Sequence, residues 1–211
     1  IRDSPDSGES FVAGHRVWHD PIPAKASMGL LMDGAPVFDR LTGAEYLYYL
    51  GALRKLDEGE AQRRAAELLH VLALDDAASK RIADYSAGMT KKILLAGAVL
   101  HNPEVLILDE PLEAVDPVSG RLIQNVLVNF AARGGTVVIS SHVMSLVEGL
   151  CTSVAIINDG QVLTSGTVCL LYTSDAAVDE VRGDKSLTDV FIELVGGADL
   201  DSNAFQWLGG N

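Results

Sequence analysis

Val105-Leu106-Ile107-Leu108-Asp109-Glu110-Pro111, followed by Leu112-Glu113-Ala114-Val115-Asp116, decides the reading of this chain. An apolar run of strand type delivers two adjacent carboxylates at its carboxyl end. Open α/β sheets receive their ligands at that rim. Two neighbouring acids are costly to desolvate unless a cation or hydrogen-bond donors accompany them. Asp109 is therefore a candidate metal ligand and Glu110 a candidate base. The competing reading is an edge strand that finishes in two solvated acids, and the flanking segments decide between the two.

Upstream, the spacing of Met89, Ile93, Ala96, Val99 and Leu100 after Ser86 predicts a buried helix, stopped by His101-Asn102-Pro103. Downstream, Asp116 caps a helix whose first residue is Pro117 and whose apolar face holds Leu122, Ile123, Val126, Leu127 and Phe130. That helix ends at Gly134-Gly135, and Thr136-Val137-Val138-Ile139-Ser140 is the next strand. Strand, helix and strand form a right-handed βαβ unit, which carries Ser140-Ser141-His142 to the same rim as Asp109 and Glu110.

Further out, residues 11–17 read as a short strand bent at Gly14, and residues 28–32 as a second apolar strand leading into the turn-forming group Asp33-Gly34-Ala35-Pro36. Thr42 caps a helix expected through Leu56, with Tyr46, Leu47, Leu50 and Leu53 on one face. A second helix, from about Glu60 to Leu74, places Ala65, Leu68, Leu69 and Leu72 together, so the two make a small helical layer. After the second strand of the βαβ unit come a short helix over 143–150, a hairpin over 154–163 turning at Asp159-Gly160, and a last helical patch over 187–195.

With 211 residues and 48% apolar content the chain can bury one ordinary core, and its formal charge of −13 argues against a nucleic-acid partner. A polyanionic ligand would have to be met by local donors. Cys151 and Cys169 lack metal-ligand spacing, which fits a reducing compartment, and no segment approaches the length of a membrane span. Trp18, Trp207, His15 and His19 join no constellation and are read as packing or surface residues.

In this order the motifs resemble the nucleotide-binding subunit of ATP-binding cassette (ABC) transporters. Tyr85-Ser86-Ala87-Gly88-Met89 resembles the family's signature loop in its tyrosine-first form; Val105 to Glu110 resembles the Walker B strand, Leu112 to Asp116 the D-loop, His142 the switch histidine, and Asp33 stands where the Q-loop glutamine is expected. The resemblance covers residues 6–167. It implies an α/β, P-loop NTPase-like fold with a mostly parallel sheet and a helical subdomain over about 42–100, in an ABC ATPase domain of residues 1–167 followed by an extension over 168–211. ATP and Mg2+ are the implied ligands. A second ABC ATPase subunit and an integral membrane permease are the implied partners, and the implied location is the cytoplasmic face of the plasma membrane.

The chemistry gives each position a reason. Magnesium on ATP phosphates takes oxygen ligands and keeps several waters, which suits Asp109 and, as the resemblance implies, Asp33. Glu110 would polarise the attacking water, and His142 would reach the γ-phosphate or that water. Ser86, Ala87 and Gly88 open a helix whose free N–H groups favour an anion; in the family this loop meets the γ-phosphate held by a partner subunit, with the D-loop Asp116 beside it.

Two departures stand out. No G-x-x-x-x-G-K-[ST] loop occurs, and Ser4-Pro5-Asp6-Ser7-Gly8-Glu9 resembles the segment after the Walker A helix, so the expectation is an N-terminally truncated cassette, inactive by itself. Residues 168–177 resemble translated sequencing-adapter sequence and receive no function. The rival readings are a non-transport ABC ATPase and a non-enzymatic binding module that contributes only its signature and dimer surfaces.

Overall fold

The computed structural model describes residues 6–34, 37–168 and 187–195. Ala35-Pro36, Cys169, Trp207 and most of residues 168–177 lie outside them. The chain divides into two compact units, Ile1–His142 and Val143–Asn211.

The first unit is built on three parallel strands in the order β3 (Met28–Leu31), β4 (Val105–Asp109), β5 (Thr136–Ser140). β4 is central because it is the most apolar, with Leu106 and Leu108 almost wholly buried. Burying such side chains contributes roughly 1.5–3 kcal/mol each. Helix α4 (Ala87–Val99) lies against β3 at a contact that only glycine permits: a Cβ on Gly29 would run into the Ala98 carbonyl. Ile93, Leu95 and Ala96 fill the space beneath. Helix α5 (Pro117–Ala132) crosses from β4 to β5 and buries Ile123 and Leu127. Its Asp116 carboxylate accepts from the N–H groups of Val118 and Ser119, Pro117 fills the first turn, and Gly134 at φ 92° ends it, as the sequence predicts.

Helices α2 (Gly43–Leu53) and α3 (Glu58–Val71) form the helical layer. Thr42 and Glu45 complete a capping box. The first helix stops three residues before its expected end, at Arg54 and the positive-φ Lys55, so Leu53 is exposed although the periodicity places it inside. Leu72 and Leu74 are buried beyond the end of α3.

Residues 11–17 are not a bent strand. They form a hairpin of β1 (Phe11–Val12) and β2 (His15–Arg16), closed by Ala13 and Gly14 at φ 49° and 78°. Two consecutive positive-φ residues reverse the chain instead of bending it. A short helix α1 (Pro21–Ala26) follows, and Trp18 is half exposed.

The second unit contains α6 (Met144–Leu150), the hairpin β6 (Ser153–Asn158) and β7 (Gln161–Thr167), and α7 (Leu187–Val195). Asp159 and Gly160, both at positive φ, make the expected turn, although β7 runs four residues past the predicted end. Val147 and Leu187 form its small buried core with Met144, Cys151 and Val154 around them. Among the described residues no helix is long and apolar enough to cross a membrane.

Candidate functional site: the carboxyl rim of the parallel strands

The register of β4 on β5 sets Asp109 opposite Ser140. The Ser140 hydroxyl donates to Asp109 Oδ1 and accepts from the Glu110 main-chain N–H at 3.1 Å. A hydroxyl can do both at once, so one serine fixes both acids. Sequence reading places Ser140 at this rim without giving it a part. The signal for one is its position two residues before His142 on the strand beside the acids.

Glu110 turns out of the strand at φ 42°, a left-handed conformation rare outside glycine. That turn sends its carboxylate back toward β5, where Oε1 accepts from the His142 main-chain N–H at 3.0 Å and its ring Nδ1 at 2.8 Å. An ionised carboxylate only accepts, so Nδ1 carries the proton. The hydrogen bond to Glu110, reinforced by its charge, holds the imidazole above its ordinary pKa. The imidazolium form then leaves Nε2–H as a second donor on a ring that is largely open to solvent.

Asp33 follows β3 and is held by Lys91 of α4, whose ammonium lies 2.8 Å from Oδ1. This hydrogen bond and the lysine charge keep the Asp33 carboxyl below the usual carboxylate range. The same ammonium donates to the Glu110 carbonyl at 2.9 Å. Sequence reading missed Lys91, because a lysine within an apolar helical pattern carries no sign of partners 58 and 19 residues away.

Ser86 caps α4 through Oγ, which accepts from the Met89 N–H at 3.3 Å. Tyr85 before it anchors the loop by donating to the Ala77 carbonyl at 2.7 Å. Ala87 is the first residue of the helix and has negative φ, so its Cβ is accommodated. Gly88 faces the start of α5: a Cβ there would stand 3.2 Å from Asp116 Oδ2 and 3.5 Å from Ser119 Oγ. Hydrogen bonds from the main chain and side chain of Ser119 hold Asp116 below its ordinary pKa.

The candidate residues thus fall into two groups. Asp33, Asp109, Glu110 and His142 are linked through Lys91 and Ser140, while Ser86, Ala87 and Gly88 gather with Asp116. Among the described residues no hydrogen bond joins the second group to Glu110 or His142, and no three His, Cys, Asp or Glu side chains converge as a metal cage. Magnesium needs no such cage, since it takes one or two carboxylates and leaves the rest to water and phosphate. Asp109 fits that demand; Asp33 meets it only in competition with Lys91.

A sequence model of the ABC transporter family matches residues 2–113. The chain is 35% identical over 162 residues to the linearmycin resistance ATP-binding protein LnrL of Bacillus subtilis, covering 77% of this chain and 52% of that one. It is 31% identical over 176 residues to the ABC transporter ATP-binding protein NatA of the same organism, covering 83% and 72%. The chain therefore spans about half the length of the first relative and nearly three quarters of the second. A solved structure described as the ATP binding subunit of an ABC transporter superposes with a TM-score of 0.81 at 26% identity, over 90% of this chain and 77% of that one.

Proposed function

Because the chain belongs to the ABC transporter family, we propose that it is the ATP-binding and ATP-hydrolysing subunit of an exporter-like ABC transporter. It energises transport through a separate membrane permease from the cytoplasmic face of the membrane. The observation that carries this reading is the Glu110–His142 pair at the end of adjacent parallel strands, beside Asp109. Relatedness to a resistance protein favours export.

In this reading Glu110 accepts a proton from the attacking water at the carboxylate oxygen that His142 does not hold. His142, whose pKa the contact with Glu110 raises, offers Nε2–H to the γ-phosphate in its imidazolium form. Asp109 would be the oxygen ligand for magnesium. Bound magnesium supplies neutralisation of the phosphate charge. Ser86, Ala87 and Gly88 present the amino end of α4 to the nucleotide of a second subunit, and Asp116 sets their position through Gly88. The residues of this chain contain no G-x-x-x-x-G-K-[ST] loop, so these groups do not themselves cradle the β- and γ-phosphates.

The permease-facing surface is assigned to the helical layer, where Tyr48 and Tyr49 of α2 are exposed and Phe38 of the preceding loop packs edge-on to Tyr49 at 5.2 Å. The test is ATP-dependent dimerisation, by size-exclusion chromatography, of a cassette in which this chain is joined to a G-x-x-x-x-G-K-[ST] loop. Glu110→Gln is expected to accumulate an ATP-bound dimer and Ser86→Arg to abolish it. A Ser86→Arg protein that dimerises normally with ATP contradicts the reading, and failure of every form to bind ATP favours the non-enzymatic module.

A further inference from the structure

We propose that Lys91 is a positioning residue that holds Glu110 in its left-handed conformation by gripping its main-chain carbonyl. The proposal rests on the reading of Glu110 as the base and adds a residue to it. Lys91 lies five residues into α4 from the Ser86 cap, with its side chain only 13% exposed. A mostly buried ammonium needs acceptors, and both that it finds lie on other elements: Asp33 Oδ1 at 2.8 Å and the Glu110 carbonyl at 2.9 Å.

Glu110 is the residue that needs such a grip. At φ 42° its main chain is strained, and a strained residue persists only when its surroundings over-determine it. Ser140 fixes its N–H and His142 its carboxylate, both from the β5 side. Its carbonyl is met by the Glu113 N–H of its own turn at 3.2 Å and by Lys91 of α4 at 2.9 Å. Among the described residues only the lysine ties it to α4 and, through Asp33, to the end of β3. The ammonium bonds the carbonyl and leaves the carboxylate oxygens to His142 and to water, which suits positioning without occupying the base.

The test is the titration of the His142 ring in the whole chain, followed by NMR, because that ring senses whether Glu110 Oε1 is in place. The facing charged groups are Glu110 and, further off, Glu113. Lys91→Met is expected to bring the His142 pKa down toward the free imidazole value of about 6.5. Lys91→Arg, which still reaches the carbonyl, is expected to keep it raised. The sign is decisive, since simple removal of a nearby cation moves an imidazole the other way. A folded Lys91→Met protein with an unchanged or higher His142 pKa overturns the proposal. If that variant does not fold, Lys91→Gln, too short to span both acceptors, carries the same expectation and the same refutation. The measurement needs neither ATP nor turnover, so its failure is separate from failure of the proposed function.

Discussion

His142 meets Glu110 twice on one oxygen, through its main-chain N–H at 3.0 Å and its ring Nδ1 at 2.8 Å. The two residues are 32 apart in sequence and are joined because β4 and β5 run parallel in a register that aligns their carboxyl ends. The ring is raised above its ordinary pKa in the folded chain, so the pairing stabilises fully below about pH 6.5 and is lost as pH rises through the raised value. NMR titration of Glu110→Gln is expected to return His142 toward its ordinary value, and stability at mildly acid pH should fall more than at alkaline pH. A His142 that titrates identically in both proteins argues against the pair.

Ser140→Ala removes a donor to Asp109 and leaves the Glu110 N–H without its acceptor. Because both bonds are exposed, the expected cost is about 0.5–1.5 kcal/mol in urea unfolding. In a cassette that supplies the G-x-x-x-x-G-K-[ST] loop, ATP turnover should fall while ATP binding is largely retained. Ser140→Thr keeps the hydroxyl and should recover most of both.

Gly88→Ala pushes a methyl group to 3.2 Å from the carboxylate that caps α5. Either Asp116 or the Ser86-Ala87-Gly88 segment must give by a few tenths of an ångström. The expectation is a loss of stability up to that of Asp116→Ala, about 0.5–2 kcal/mol, and the two substitutions together should cost less than their sum. A double-mutant cycle in urea measures this; strict additivity would mean that the loop and the cap are independent.

His101 is held neutral in the fold. Burial, with Arg54 next in effect, lowers its pKa to about 4; Nε2 donates to the Met28 carbonyl at 3.0 Å and Nδ1 is buried without a partner. A depressed histidine contributes stability above about pH 6.5 and loses it as pH falls toward 4. Urea midpoints should drop across that window, and His101→Gln should flatten the drop. An equal acid response in the variant removes His101 as its source.

Local chemistry was legible in the sequence. Asp116, Ser86 and Thr42 cap the helices expected of them because capping depends on residues within one turn, and the β4–α5–β5 crossover follows from strand and helix lengths alone. What escaped depends on distance or on a few degrees of backbone. Lys91 and Ser140 act on partners brought in by the sheet, 19 to 58 residues away. Residues 11–17 look like a bent strand until Ala13 joins Gly14 at positive φ, and Leu53 keeps the helical period but is the last residue before Arg54 ends the helix, where it is exposed.

The most direct measurement is the ATP turnover rate at saturating ATP of the wild-type sequence against Glu110→Gln, each joined to a G-x-x-x-x-G-K-[ST] loop that holds the phosphates, with bound nucleotide counted in both. The account predicts undiminished binding and turnover reduced by roughly 10²–10⁴ or more. A Glu110→Gln protein that hydrolyses ATP at the wild-type rate contradicts it.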